Sequence, residues 1–232
     1  MNVSFWKMQA AGNDFILLDD RSGTFPVADS NRIARWCDRR RGIGSDGLIL
    51  LQRSATADVR MRFFNPDGTE AAMCGNGARC VARLAHHLGL GTDNLRVDTA
   101  AGIVRADLLG DRVRLHLTPP VEARMHLKIT GQGRSLTVHC VDTGVPHAVC
   151  LLEDVAQTDV AALGALVRHH PLFAPAGTNA DFVQIRGPDA LTVRTYERGV
   201  EAETLACGTG VAAAAWVAVK LGRVTSPVRV TT

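Results

Sequence analysis

One short pattern occurs twice in this chain and limits its fold more than any other feature. Cys74-Gly-Asn-Gly77 opens an alanine-rich segment that ends at Leu88-Gly89, and Cys207-Gly-Thr-Gly210 opens another that ends at Leu221-Gly222. Each is preceded by a strand-like stretch and an acidic turn: Val59-Arg-Met-Arg-Phe-Phe-Asn-Pro-Asp-Gly-Thr-Glu70 in one case, Leu191-Thr-Val-Arg-Thr-Tyr-Glu-Arg-Gly-Val-Glu201 in the other. Asn65 precedes its cysteine by nine residues and Glu197 precedes its own by ten. Gly12-Asn-Asp-Phe15 reads as a further element, echoed in Thr178-Asn-Ala-Asp-Phe182. Two related halves are expected, each presenting Cys-Gly-x-Gly at a helix start. Pro119-Pro120, near the midpoint, marks the boundary, giving an N-terminal half of 1–118 with Cys74 and a C-terminal half of 119–232 with Cys207.

Within the halves, Val113–Leu117 and Leu136–Cys140 alternate apolar and polar residues, as half-buried strands do. Leu95–Asp98, Val104–Leu108, Ala148–Leu152, Phe182–Ile185 and Leu191–Tyr196 are further strand candidates. Gly110-Asp111, Gly131-Gln-Gly133 and Gly187-Pro188-Asp189 fall between them as hairpin turns. Helices are expected from the Asp29/Ser30 cap to about Arg39, over roughly Asp159–His169, and after each motif cysteine. Many short hairpin-linked strands with few helices predict an α+β fold.

Composition excludes several classes. With 46% apolar residues among 232, the chain can bury a real core. No apolar run reaches the 18 or so residues of a membrane span, and the N-terminal residues carry no export signal. A net charge of +3 from scattered basic residues does not predict nucleic-acid binding. Arg39-Arg40-Arg41, the one dense run, reads as a solvated loop. The six cysteines contain no C-x-x-C pair and no zinc spacing, so free thiols in a cytoplasmic protein are expected. Cys37, Cys80, Cys140 and Cys150 read as buried filler.

Cys74 and Cys207 differ from these by their context. Flanking glycines let backbone approach a ligand closely. The first N–H groups of the following helix lie outside its hydrogen-bond ladder and suit a carboxylate. A helix end contributes about 0.3–1 kcal/mol, at best about 2, to a nearby anion; at ~1.4 kcal/mol per pKa unit that lowers a thiol by roughly one unit, so full ionisation needs a further partner. In the first helix Arg79, Arg83 and His86/His87 recur at helical spacing, leaving Val81, Leu84, Ala85 and Leu88 to face inward. The second, Val211–Val219, has no polar residue and is expected to be buried all round. Two such starts facing each other would hold thiols on opposite sides of one bound carboxylate.

Lys7-Met-Gln-Ala-Ala-Gly-Asn-Asp-Phe15, Met73-Cys-Gly-Asn-Gly-Ala-Arg79, Pro146-His147 and Glu197-Arg-Gly…Leu-Ala-Cys-Gly-Thr-Gly210 resemble the diaminopimelate epimerase family, in its order and over nearly the whole chain. The resemblance implies a cofactor-independent epimerase that interconverts LL- and meso-2,6-diaminopimelate for lysine and cell-wall synthesis. It also implies two pseudo-symmetric α+β domains, each a mostly antiparallel or mixed sheet wrapped around a central helix. Substrate would lie in the cleft between them, and a homodimer is expected. Cys74 and Cys207 take the acid/base roles, and the N–H groups of Gly75-Asn76 and Gly208-Thr209 bind the reacting carboxylate. Asn13, Asn65, Asn179, Glu197 and Arg198 hold the substrate, and His147 and Glu197 adjust the cysteine pKa values. No metal ligands are implied.

Three departures from the family stand out. Val145 occupies a place where many members have asparagine before Pro-His, and Gly47 one where some have glutamine. The chain stops at Val228-Arg-Val-Thr-Thr232, where members continue through further strands, so the first half is expected to lack a closing strand. The alternative readings are a related racemase of the proline or histidine type, a thiol redox sensor closing Cys74 and Cys207 into a disulfide, and a carboxylate-binding module without catalysis.

Overall fold

The structure is a computed structural model that describes residues 3–131 and 133–232. Gln132, in the turn expected between Gly131 and Gly133, lies outside the described residues. The chain divides into two compact units, Met1–Thr118 and Pro119–Thr232.

In the first unit, β1 (Trp6–Ala10) and β2 (Asn13–Asp19) form an antiparallel hairpin, and α1 (Ser30–Cys37) crosses to β3 (Leu48–Gln52), parallel to β2. β4 (Val59–Phe64) returns antiparallel to β3, the short β5 (Glu70–Ala71) folds back on β4, and α2 (Gly75–His87) leads to β6 (Asn94–Thr99), parallel to β4. The second unit repeats this sequence of pairings. β10 (Arg134–Asp142) and β11 (Pro146–Leu151) are antiparallel, and α3 (Val160–Arg168) crosses to the parallel β12 (Asn179–Gly187). β13 (Ala190–Glu197) returns antiparallel, β14 (Ala202–Thr204) folds back on it, and α4 (Gly208–Lys220) leads to β15 (Arg229–Thr231), parallel to β13. The first unit adds the hairpin β7 (Gly102–Leu109) and β8 (Arg112–His116); the second begins with β9 (Val121–Gly131), paired to β10.

The registers agree residue for residue. Leu17 faces Ile49 and Ile49 faces Phe63 in the first sheet; Val149 faces Asp181 and Asp181 faces Thr195 in the second. Phe15 is therefore equivalent to His147, Ile49 to Asp181, and Phe63 to Thr195. By the same offsets Asn13 matches Val145, Gly47 matches Asn179, and Asn65 matches Glu197. The halves are related as expected, but the echo read between Gly12–Phe15 and Thr178–Phe182 is a coincidence. Phe15 lies on β2, whereas Phe182 lies on β12, the counterpart of β3, facing Arg194.

Each sheet packs one face on each of two helices. In the first unit α2 touches β1 to β4 and β6 to β8, both edge strands included, so the sheet curls around it. In the second, α4 packs on β10 to β13. The opposite faces hold α1, through Ile16, Leu18, Ile33, Leu48, Leu50 and Phe64, and α3, through Ala148, Cys150, Val160, Leu163, Ala180 and Phe182. Burial of such side chains stabilises a fold by about 1.5–3 kcal/mol each. This is the α+β architecture expected, with parallel pairs inside mainly antiparallel sheets.

Several local expectations need correction. β3 escapes periodicity because Leu48–Leu51 is buried on both faces and so does not alternate. β9 escapes because its residues are mostly exposed and its ladder with β10 is bulged; Glu122 and His126 there adopt φ of +54° and +57°. α1 stops at Cys37 rather than near Arg39, because the Asp38 carboxylate accepts from the Arg40 and Arg41 N–H groups and turns the chain. α4 is not buried all round. Ala213, Ala214, Val217 and Ala218 form its inner stripe, while Val219 is 37% exposed and Trp216 lies under the Lys220 ammonium. Alanine loses little when exposed, so an alanine-rich run carries no clear record of which face is inside.

Candidate active site

Each motif cysteine is the N-cap residue of its helix, in extended backbone conformation. The first helical hydrogen bonds run from Ala78 N to the Cys74 carbonyl and from Val211 N to the Cys207 carbonyl. The Cys74 thiol also accepts from Gly77 N–H at 3.3 Å. The second glycine of each motif is required by packing. A Cβ on Gly77 would lie 2.8 Å from Ile49 Cδ1 and 3.4 Å from the Cys74 sulfur; a Cβ on Gly210 would lie 2.4 Å from Asp181 Oδ1.

In the second half a buried polar cluster leads to Cys207. His147 on β11 donates from Nδ1 to Asp181 Oδ2 at 2.7 Å, and both side chains have no exposed surface. Thr195 donates its hydroxyl to Asp181 Oδ1 at 2.7 Å. The other face of the imidazole, Nε2, lies 2.9 Å from Thr209 Oγ1, which is in turn 3.4 Å from the Cys207 sulfur. Thr143 donates its hydroxyl to the Thr209 carbonyl and ties β10 to the start of α4. Burial pushes the Cys207 thiol well above its ordinary pKa, and the Glu197 and Asp181 carboxylates push it further. Thr209 and the Gly210 N–H oppose this without prevailing. Burial likewise raises the Glu197 carboxyl, against hydrogen bonds from Thr204 and Cys207 and the pull of His147.

Asn179 and Arg198 sit at the strand ends beside this cluster. Asn179 donates to the Pro146 carbonyl at 3.1 Å and accepts from Arg198 N–H at 2.8 Å, so its amide spans β11 and β13. The Arg198 guanidinium, lowered in pKa by burial, reaches the Ala176 carbonyl.

The first half places Asn13 beside Cys74. Asn13 donates from Nδ2 to Asp46 at 2.8 Å, which turns Oδ1 toward Asn76 Nδ2 (3.4 Å) and the Cys74 sulfur (4.0 Å). Asp46 is held by Arg39 at 2.7 Å, and Arg39 also pairs with Asp14, which Lys7 contacts. Burial alone would raise Asp14, but hydrogen bonds from Arg39 and Lys7 hold it well below the carboxylate range. Arg39 is thus a brace for the Asn13 strand, and only Arg40 and Arg41 fit the solvated reading of that run. The Asn65 side chain donates to Thr69 within its own turn. Gly75 and Asn76, like Thr209, are buried in the first turn of their helices, whereas Gly208 is partly exposed.

At the two departures, the space is closed differently. A Cβ on Gly47 would meet the Phe63 ring at 2.5 Å, so that ring fills the volume a longer residue would need. Val145, the counterpart of Asn13, contributes its carbonyl to Thr143 N–H at 3.2 Å.

The other cysteines are buried in the cores, and none of the six is in a disulfide. Burial pushes Cys80 and Cys150 up to about 12, and raises Cys37 and Cys140. Among the described residues no group of three or more His, Cys, Asp and Glu side chains is arranged for a metal ion, and no helix is long and apolar enough to cross a membrane. Asp181, Thr195, Asp46 and Arg39 were not among the expected site residues. One trace of them was present: Asp181 interrupts the apolar run Ala180–Val183, on the face it shares with Asn179.

Residues 5–121 and 139–232 match the sequence family described as diaminopimelate epimerase. The diaminopimelate epimerase of Chlorobaculum tepidum is 46% identical, over 94% of this chain and 84% of that protein. The diaminopimelate epimerase of Aquifex aeolicus is 41% identical, over 99% of this chain and 86% of its own length. Among solved structures, a hydroxyproline epimerase from Agrobacterium vitis superposes with a TM-score of 0.73 at 18% identity, over 97% of this chain and 80% of that one. A probable proline racemase from Agrobacterium radiobacter does so with a TM-score of 0.73 at 19% identity, over 99% and 82%. These two share the fold. The sequence matches extend to both cysteine motifs, and with nearly the whole length covered they identify this chain as a member of the diaminopimelate epimerase family.

Proposed function

We propose that this protein interconverts LL- and meso-2,6-diaminopimelate without a cofactor, using Cys74 and Cys207 as the two acid/base groups on opposite faces of one α-carbon. One observation carries the reading: each half sets a cysteine at the N-cap of its central helix, at equivalent places in one duplicated fold. The reacting carboxylate is held by first-turn N–H groups at Gly75-Asn76 and Gly208-Thr209. Those donors stabilise the charge that moves onto the carboxylate as the proton leaves. One cysteine acts as thiolate and the other as thiol, since two anions at close range repel. The thiolate removes the α-proton, the thiol delivers one to the other face, and the roles exchange in the reverse reaction. Asn13, Asn65, Asn179, Glu197 and Arg198 hold the amino-acid groups of the substrate, and a homodimer belongs to the same reading.

Proton exchange followed by NMR in D2O, with LL-diaminopimelate and a reductant, tests it. Deuterium at one α-carbon with meso product is expected, and its loss in both Cys74→Ser and Cys207→Ser. Unchanged affinity for substrate in those variants separates catalysis from simple binding. Val145 and Gly47 remove polar side chains from positions equivalent to Asn13 and Asn179, the one observation that favours a sister racemase. Exchange with proline or histidine, and none with diaminopimelate, would move the assignment there.

A further inference from the structure

The duplicated frame allows a comparison of what each half places behind its cysteine. In the first half the three equivalent positions hold Phe15, Ile49 and Phe63, all buried, with the Phe15 and Phe63 rings packed edge to face at 5.9 Å. In the second half they hold His147, Asp181 and Thr195, equally buried. The same exchange meets each motif glycine: Gly77 packs on the Ile49 methyl, and Gly210 packs on the Asp181 carboxylate. Apolar residues therefore satisfy this frame, and the second half replaces them by a hydrogen-bonded chain that ends at a thiol.

We propose that Asp181, His147 and the Thr209 hydroxyl form a proton relay that serves Cys207, with Asp181 and Thr195 as its positioning residues. The carboxylate fixes the proton of His147 on Nδ1, so Nε2 faces Thr209 as the acceptor. In one arrangement the Cys207 S–H donates to Thr209 Oγ, and the Thr209 O–H donates to Nε2. In the other, the Thr209 hydroxyl proton has passed to Nε2 and the Cys207 proton to Thr209 Oγ. That leaves a thiolate, an intact hydroxyl and an imidazolium whose Nδ1–H is held by Asp181. One proton has moved from sulfur to imidazole, no other bond changes, and the reverse step returns it. The Cys207 thiol also hydrogen-bonds the Glu197 carboxyl, but only transfer to His147 leaves an imidazolium nearby to offset the charge the sulfur acquires. The charged or titratable groups around the relay are Asp181 from β12, Glu197 from β13 and Cys207 at the start of α4. Cys150, on β11, faces the opposite core.

The proposal rests on Cys207 being an acid/base group of the reaction, so its test includes readouts that need no turnover. Asp181→Asn removes a negative charge near Cys207. Charge alone would make that thiol ionise more readily, whereas the relay requires the opposite. Iodoacetamide labelling, read by mass spectrometry site by site, is expected to slow about tenfold or more at Cys207 in Asp181→Asn, and to stay within about twofold at Cys74. Glu197→Gln, which removes a charge outside the relay, should accelerate labelling of Cys207. Thr209→Val should slow it as Asp181→Asn does, and Thr209→Ser should restore it. In 15N spectra His147 is expected as the Nδ1–H form in the native protein, and to lose that preference in Asp181→Asn. With diaminopimelate, Asp181→Asn should lower kcat about a hundredfold with KM little changed. Faster labelling of Cys207 in Asp181→Asn, native His147 protonated on Nε2 alone, or Thr209→Ser no better than Thr209→Val would each overturn the relay. Absence of epimerisation by the native enzyme would instead overturn the assigned reaction, leaving labelling and 15N results to decide the relay by themselves.

Discussion

Replacing Gly210 by alanine should destabilise the second half far more than replacing Gly77 destabilises the first. The added methyl at 210 would lie 2.4 Å from Asp181 Oδ1 and 3.2 Å from Thr195 Oγ1. Carbon and oxygen tolerate contact at about 3.3 Å, so the carboxylate must retreat by roughly 0.9 Å. The Thr195 hydrogen bond, now 2.7 Å, then stretches beyond useful length. A lost bond to a buried charge costs about 1.5–3 kcal/mol, and overpacking about 1–3 kcal/mol. The helical preference of alanine over glycine returns at most about 1 kcal/mol. The net expectation is about 2–4 kcal/mol. At Gly77 the contact at 2.8 Å is with the terminal methyl of Ile49, which can turn aside, so Gly77→Ala should cost about 1 kcal/mol or less. Urea unfolding of both variants, fitted with a common slope, measures the difference. Gly210→Ala as stable as the native protein, or no less stable than Gly77→Ala, would refute the argument that Asp181 is what excludes a side chain there.

Two further outcomes follow from the charges. Burial raises the Glu197 carboxyl above 4.5, so the folded state favours its neutral form; the associated stability is complete below about pH 4.3, the unfolded value, and is lost as pH rises through the folded value. Glu197→Gln should therefore match the native protein in thermal midpoint near pH 4 and exceed it at pH 7.5, and a constant difference between those pH values would contradict the burial argument. Iodoacetamide at pH 7.5 should modify Cys74, the one partly exposed thiol, before any other. Cys37, Cys80, Cys140 and Cys150 should react only after denaturation, and early labelling of Cys80 or Cys150 would contradict the cores described.

Much of this was legible because it rests on local chemistry. Asp29 and Asp159 cap α1 and α3, accepting from Arg32 and Ala162 N–H at 3.0 Å each, and both are found by residue type and position alone. The two cysteine motifs are equally local, since a helix start needs only its own first turn. What could not be read depends on which strand lies beside which. The parallel pair β2–β3 joins residues some thirty positions apart, with Leu48–Leu51 buried on both faces. The surroundings of the asparagines were hidden for the same reason. Asn13 is aimed at Cys74 by Asp46, while Asn65 bonds within its own turn. Arg39, read as a surface charge, braces Asp14 and Asp46 only because the α1–β3 loop folds back on the start of β2.

The duplication explains why the site is asymmetric on a symmetric frame. Each aromatic or aliphatic side chain at the Phe15, Ile49 and Phe63 positions contributes about 1.5–3 kcal/mol of burial, and polar residues at the same places return little beyond satisfied hydrogen bonds. Stability by itself would favour the apolar set in both halves. The second half forgoes it, and among the described residues no buried side-chain nitrogen or oxygen lacks a partner, so the substitution is complete and internally consistent. Its effect falls on one thiol. Cys207 is set among Glu197, Asp181 and His147, whereas Cys74 has the Arg79 cation as its electrostatic neighbour and Asn13 at its side. A reaction with one acid and one base needs two groups held in unlike protonation states. Under the proposed reaction, the divergence of the three core positions is what would set Cys207 apart from Cys74 on a duplicated frame.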